Sequence, residues 1–391
     1  MATTPHELRA YRYPDNSFGI RRYALVISTV TCANTVTAKI AARTGAIPIT
    51  HGQGCMEDKG SSERTVATLK GMALNPNVAS VLVVGLGCEQ IDARTLAEAV
   101  RAAGAHADWL TIQDCGGSPE AEEEGVKKLE ALRTAESVPE RTGGTVSGLV
   151  VGVQCGGSDW TTALSGNAVI GAMADCVIRD GGSILLSEVP GLPGSEHVLA
   201  AQAANDAVKA DILRMVAELR EDFIRLHGHS IEETNPTPGN KEGGITTLVE
   251  KSMGNIKKMG SSKIQGVLKL GEHVPHPGLW IVDNRANGPD PVNITGFAMA
   301  GAHALVFSTG RGSPVGCPVM PVVKLTGNPE SYRAMQSILD FNAGVVFEGT
   351  TLAEAGEELY ALLLKVANGE RTKSEINGNY EFSIPYDPAR R

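Results

Sequence analysis

The chain has 391 residues, with 35 Lys+Arg against 44 Asp+Glu, a formal net charge of −9. That length suits about two or three domains with an ample core, and 42% hydrophobic with 20% charged residues excludes a disordered or fibrous chain. An acidic balance without a basic tract argues against nucleic acid and anionic membranes as partners.

From Tyr23 onward, short β-branched runs alternate with amphipathic stretches: YALVIST, TVTAKIAART, AIPITH, SERTVATLKGMAL, VASVLVVGLG, DARTLAEAVRAAG, DWLTIQ and EAEEEGVKKLEALRTA. Continuous apolar strands separated by helices are the pattern of a parallel sheet covered on both faces. The predicted class is α/β, with an N-terminal doubly wound parallel-sheet lobe over residues 1–145. A second α/β lobe, residues 146–391, opens with the strand GLVVGVQC, the helix NAVIGAMADCVIR and the strand SILLSE. A long helix is predicted from about Ser195 to Leu226, followed by an irregular Gly/Pro-rich segment, 227–260, read as an ordered active-site loop. The strands GLWIVD, LVFSTG, PVVKLTG and AGVVFEG and the helices TGFAMAGAHA and TLAEAGEELYALLLKVANG complete the lobe.

Seven cysteines, an odd number scattered through a long chain, read as reduced thiols of a cytoplasmic protein. The first twenty residues lack the apolar core of a leader, and no apolar run reaches the roughly 18–20 residues of a membrane span. There is no Walker A sequence, no G-x-S-x-G elbow and no complete dinucleotide fingerprint.

The unusual residues collect at carboxyl ends of predicted strands, where open α/β sheets bind ligands. His51 and Cys55 follow AIPIT, Cys88 and Glu89 follow VLVVGLG, and Cys155, Ser158 and Asp159 follow LVVGVQ. SILLS runs into Glu188 with His197 nine residues on, and LVFST runs into Gly310, Arg311, Gly312 and Ser313. A cysteine in an α/β protein is ordinarily a small buried hydrophobe, but Cys55, Cys88 and Cys155 sit at glycine-rich exits, where thiolate and imidazole donors favour iron or zinc. The T-G-R-G-S turn is read as an anion clamp for a carboxylate or sulfonate, against the plainer reading of a surface turn. The irregular segment offers Asn240 and Lys241 to orient a substrate, and Lys251 as a proton acceptor. His51, Glu188 and His197 are the other candidate catalytic residues.

The motifs Y-R-Y-P-D-N-S-F-G-I-R-R-Y-A-L-V-I-S-T-V-T-C-A-N, T-H-G-Q-G-C, N-P-N-V-A-S-V-L-V-V-G-L-G-C-E, Q-C-G-G-S-D, N-P-T-P-G-N-K-E-G-G, E-K-S-M-G, T-G-R-G-S and T-K-S-E, in this order, resemble the large catalytic region of the altronate/galactarate dehydratase family. That family includes the large subunit of the sulfolactate sulfo-lyase. The resemblance implies a lyase performing β-elimination on a 2-hydroxy acid to give a 2-oxo acid. The choice lies between 3-sulfolactate, giving pyruvate and sulfite, and altronate- or galactarate-type sugar acids, losing water. It also implies iron, with mononuclear Fe²⁺ and a labile [4Fe-4S] cluster both left open; Cys55, Cys88, Cys155 and Glu89 are the candidate ligands read from their places at predicted strand ends. The family opening begins near residue 10, without a preceding SAF-type domain, so a separate small SAF-type subunit, an oligomer and a slight preference for sulfolactate are the expectations. The rival reading is a non-catalytic metal- or ligand-binding subunit.

Overall fold

The computed structural model describes residues 7–13, 17–135, 140–285 and 289–385. Three short strands, β1 (Ala10–Arg12), β2 (Phe18–Gly19) and β7 (Arg141–Thr142), pair antiparallel in the order β2-β1-β7. Between them runs a four-stranded parallel sheet of β3 (Tyr23–Ser28), β4 (Ile47–Ile49), β5 (Val78–Gly85) and β6 (His106–Thr111), ordered β4-β3-β5-β6. Its strands are apolar on both faces because both are covered. Ile40 and Leu129, from helices Asn34–Thr44 and Ser118–Ala135, pack on Val26 and Val84. Leu69, Leu96 and Val100, from helices Lys59–Ala73 and Ala93–Ala102, cover Ile27 and Val83 opposite. Asp58 and Asp92 cap these last two helices, accepting from Ser61 and Thr95 N–H.

The larger sheet holds β8 (Val150–Cys155), β9 (Ser183–Leu186), β10 (Ile264–Lys269), β11 (Gly278–Asp283), β12 (Ala304–Ser308), β13 (Val322–Thr326) and β14 (Phe341–Asn342). It is parallel throughout, in the order β10-β11-β9-β8-β12-β13-β14. Helices Asn167–Arg179, Asp206–His227 and Leu352–Ala367 bury Met173, Ile212, Leu359 and Leu363 on one face. On the other lies helix Asp290–Met299, packed against Lys59–Ala73, so that Leu25 and Val81 of the small sheet share one core with Leu185, Trp280 and Phe307 of the large one. The α/β class is as predicted.

Three elements depart from expectation. The long helix expected over 195–226 is two, Glu196–Gln202 and Asp206–His227. Between them Ala203 leaves the helix to bridge Ile264 in parallel, and Asn205 restarts it by accepting from Val208 N–H at 3.0 Å. AGVVFEG, expected as a strand, is a 3-10 turn over Ala343–Glu348, begun by Asn342 accepting from Gly344 N–H and ended by Gly349 at φ +108°. Strand β10 lies in a stretch that carried no strand expectation.

Buried polar groups seal the seam between the sheets. Asn77 accepts from Ile20 and Arg21 N–H and donates to the carbonyls of His303 and Val319 at 2.8 and 3.0 Å. The His303 ring stacks on Phe18, donates from Nε2 to the Phe18 carbonyl and accepts from Val150 N–H. Arg21 forms two parallel bonds to Glu375, at 2.7 and 3.0 Å, and Tyr23 OH donates to the same carboxylate.

Candidate active site

From β8 the large sheet grows outward in both directions, through β9 on one side and β12 on the other. A parallel sheet opens a crevice at the carboxyl ends of its strands where the order reverses in this way. The loops leaving β8, β9 and β12 meet there with the segment 235–260.

Cys155 ends β8, and its backbone N–H donates to Glu188 Oε2 at 3.2 Å. Glu188, just past β9, has φ +58°, a conformation that strains a non-glycine residue by about 1–3 kcal/mol. Its carboxylate is held there by Cys155 N–H and by an ion pair with Lys258. Lys258 comes from the 3-10 turn Ile256–Met259, is 0% exposed, donates to Asn255 Oδ1 and lies 3.2 Å from Cys155 Sγ. Burial opposes its charge, but Cys155 and Glu188 outweigh that, and its pKa lies above the ordinary lysine value. Burial, then the Glu188 carboxylate, push the Cys155 thiol up. The core of the arrangement is the Lys258–Glu188 ion pair, packed against the Cys155 sulfur.

Asp290 opens helix Asp290–Met299 and accepts from Gln154 Nε2 at 3.2 Å. Gly156 lies so close that a Cβ there would stand 2.2 Å from Asp290 Oδ2. Burial, and then Glu188, push the Asp290 carboxyl up to about 6, within the range useful for proton transfer near neutrality. Lys251, half-buried on helix Leu248–Asn255, donates to Asn235 Oδ1 at 2.7 Å and Asn240 Oδ1 at 3.0 Å, and its charge is felt at Asp290. Asn240 is itself fixed by donating to the Ser158 carbonyl at 2.9 Å. The partly accessible groups are therefore Glu188, Asp290 and Lys251, with Cys155 and Lys258 buried behind them.

One family model, D-galactarate/altronate dehydratase C-terminal, matches residues 146–389, and another, D-galactarate dehydratase/altronate hydrolase second domain, matches residues 10–137. The chain belongs to the D-galactarate/altronate dehydratase family. It is 33% identical to altronate dehydratase of Escherichia coli (strain K12) over 97% of this chain and 77% of that enzyme. It is 32% identical to the (2R)-sulfolactate sulfo-lyase subunit beta of Chromohalobacter salexigens, over 96% of each chain. It is 31% identical to galactarate dehydratase (L-threo-forming) of E. coli over 83% of this chain and 63% of the other. This is a lyase family.

Within this dehydratase-family fold the expected site residues divide. Cys155, Glu188, Asn240 and Lys251 lie at the crevice of the large sheet. Arg311 does too, but its Nη1 donates to the Gly239 carbonyl at 3.0 Å and Glu242 Oε2 at 2.6 Å, tying the β12 turn to the irregular segment. Gly310 and Gly312 shape that turn. A Cβ on Gly310 would strike the Asp159 carboxyl at 2.2 Å, and Gly312 has φ +92°. Asp159 accepts from Thr161, Thr162 and Asn328 and so organises the loop after β8. Ser158 contributes its carbonyl, Ser313 is buried in its turn, and Lys241 is exposed.

Three expectations are corrected. His197 is exposed on helix Glu196–Gln202, outside the constellation. His51 is buried beside the four-stranded sheet with both ring nitrogens engaged, Nε2 donating to the Ser28 carbonyl and Nδ1 accepting from Gln53 N–H, and burial lowers its pKa. It is neutral, with no nitrogen left for a metal or a proton relay. The ligand set Cys55, Cys88, Cys155 and Glu89 does not converge. Cys155 faces Lys258, and Glu89 is filled by Thr29 OH and the N–H groups of Leu86, Gly87 and Cys88. Burial opposes the Glu89 charge, but these donors outweigh it and lower its pKa. Among the described residues no three His, Cys, Asp or Glu side chains are gathered to hold a single metal ion. An iron bound by that set does not fit.

Lys258, Asn255, Gln154 and Asp290 carried no functional expectation. The one signal was a lysine doublet, Lys257-Lys258, whose second member falls among Ile256 and Met259 on the buried side of its turn.

Proposed function

We propose that the protein catalyses β-elimination on a 2-hydroxy acid. A base removes the proton α to the carboxylate, the bond to hydroxide or sulfite on the neighbouring carbon breaks, and the enol tautomerises to a 2-oxo acid. The observation that carries this reading is the Asp290 carboxyl, pushed up to about 6 and placed beside Glu188, Lys258 and Lys251 at the crevice of a dehydratase-family fold. Asp290 accepts the α-proton. Lys251, fixed as a double donor to amide oxygens, offers its remaining donor capacity and charge to the substrate carboxylate as electrons accumulate there. Lys258 is a positioning residue, holding Glu188 in its strained conformation from below.

The names of the relatives support sugar acids and sulfolactate equally as substrates. The beta-subunit name of the sulfo-lyase relative supports an assembly with a second chain, for which we propose a small SAF-type subunit. Seven unbridged cysteines support a reducing, cytoplasmic setting, and no helix among the described residues is long and apolar enough to cross a membrane.

The test is 2-oxo acid release from altronate, galactarate and 3-sulfolactate by the anaerobically purified full chain together with a small SAF-type subunit. Asp290→Asn should abolish exchange of the substrate α-proton with deuterated solvent, whereas Lys251→Ala should retain exchange and raise KM. The opposite split would make Lys251 the base, and silence of the native assembly on all three acids would end the reading.

A further inference from the structure

Alternate residues of a strand face the same side of a sheet. Along β8, Val150, Gly152 and Gln154 face helix Asp290–Met299, whereas Val151 and Val153 face the opposite layer and Cys155 meets Lys258. At Gly152 a Cβ would stand 2.9 Å from the Phe297 ring, so the bare position lets the helix settle close on the strand. Gln154 is 0% exposed, and its Nε2 donates to Asp290 Oδ1 at 3.2 Å and to the Cys155 carbonyl at 3.3 Å. At Gly156, two residues on, a Cβ would stand 2.2 Å from Asp290 Oδ2. Asp290 is thus seated on the strand by one amide and one missing side chain. The other end of the amide argues against a role in packing alone. Gln154 Oε1 is buried and has no hydrogen-bond partner among the described residues, a cost that an apolar residue at this position would avoid.

We propose that Gln154 positions Asp290 for proton abstraction, holding Oδ1 through Nε2 so that Oδ2 is the oxygen that receives the substrate's α-proton. The inference rests on the elimination reading, with Asp290 as its base, and adds the residue that orients that base. In the step itself the C–H bond α to the substrate carboxylate breaks and the proton forms an O–H bond on Oδ2. The electron pair becomes the new carbon–carbon double bond as hydroxide or sulfite leaves. A carboxylate free to rotate offers its two oxygens in turn, whereas one held at Oδ1 presents the other at a fixed angle. Such placement matters, since an error of about 1 Å can cost about 100-fold in rate. Burial and the Glu188 charge oppose ionisation of Asp290, while the Gln154 donor and the Lys258 and Lys251 charges favour it.

The test compares Gln154→Met, which keeps the side-chain length and loses the donor, with Gln154→Glu, and combines each with Asp290→Asn. Far-UV circular dichroism checks the fold of every variant. The first reading is Tm against pH for the full chain, which needs no substrate. Without the donor, Asp290 ionises at higher pH in the folded state, so the fall in Tm expected at about pH 6 should move up by about one pH unit. In Gln154→Met/Asp290→Asn that shift should vanish, because Gln154 acts through Asp290. With whichever acid the assembly turns over, Gln154→Met should lower kcat about 100-fold and leave KM little changed, as loss of orientation rather than of binding requires. Gln154→Glu donates to Oδ1 while it keeps its proton, so it should restore part of kcat and make the pH profile a bell that falls again at alkaline pH. A Tm transition unmoved by Gln154→Met, a shift that persists in the Asp290→Asn background, or a loss carried by KM alone would each overturn the proposal. The two readings fail separately. The expected Tm series with α-proton exchange retained in Asp290→Asn would bring down the base assignment and this proposal with it, whereas exchange that depends on Asp290 with an unmoved Tm series would bring down the role of Gln154 alone.

Discussion

Lys258 shows how a buried charge becomes tolerable only through its partner. Removing one member of a buried ion pair typically costs about 3–5 kcal/mol because the other is left uncompensated. Glu188 keeps 15% exposure, which places Lys258→Met near the lower end, about 3 kcal/mol by urea denaturation. Adding Glu188→Gln should recover much of that stability while activity stays lost, and a double variant no more stable than the single one would refute the pairing. Asp290 titrates with the opposite burden. Its folded pKa of about 6 lies above the unfolded value of about 3.9. Between these values the folded state binds more protons, so stability is full below pH 4 and falls as pH rises through 6. Asp290→Asn should therefore raise Tm at pH 8 and leave it unchanged at pH 4. The same ionisation sets an acid limb near pH 6 in native kcat/KM, measurable once a substrate is in hand.

Elements legible in the sequence are those whose environment imposes one pattern. Strands β3, β5, β8, β9 and β12 are covered on both faces and read as unbroken apolar runs. Cys155 and Glu188 stand out as polar residues just beyond such runs, and Asn240 and Lys251 as the chemistry of an irregular segment too rich for a linker. Lys258 and Asp290 offer no such local cue. Their meaning comes from partners 103 and 136 residues away, Cys155 and Gln154, and neither stands directly at the end of a strand. Arg311 is legible as a functional turn, but its geometry is that of a latch on the segment 235–244. Arg311 and Glu242 are 47% and 68% exposed, so their ion pair is worth at most about 1 kcal/mol. Glu242→Gln should thus leave Tm within a few degrees, yet speed amide exchange in helix Pro238–Glu242, as a loosened latch allows. Unchanged exchange would reduce the contact to surface decoration.

Across the whole molecule, the motifs around Asn77 and Glu375 that stand out as family signatures serve the seam between the sheets. His303 makes that seam acid-sensitive. Burial pushes its pKa down to about 4, against about 6.5 when unfolded. Stability is complete above pH 6.5 and declines as pH falls toward 4, by up to about 3 kcal/mol. His303→Gln should be less stable than the native chain at pH 8 but should flatten this acid loss, and an unchanged slope of Tm between pH 6.5 and 4 would show that another group governs it. The Arg21–Glu375 pair joins residues 354 positions apart. During translation the ribosome has delivered β3 and the whole smaller sheet long before Glu375 emerges, so a nascent smaller sheet carries an unmatched guanidinium at its base. Release of the last residues is then the event that completes the seam: the bonds of Asn77 and His303 are drawn from residues made earlier, and Glu375 arrives last to match the Arg21 guanidinium.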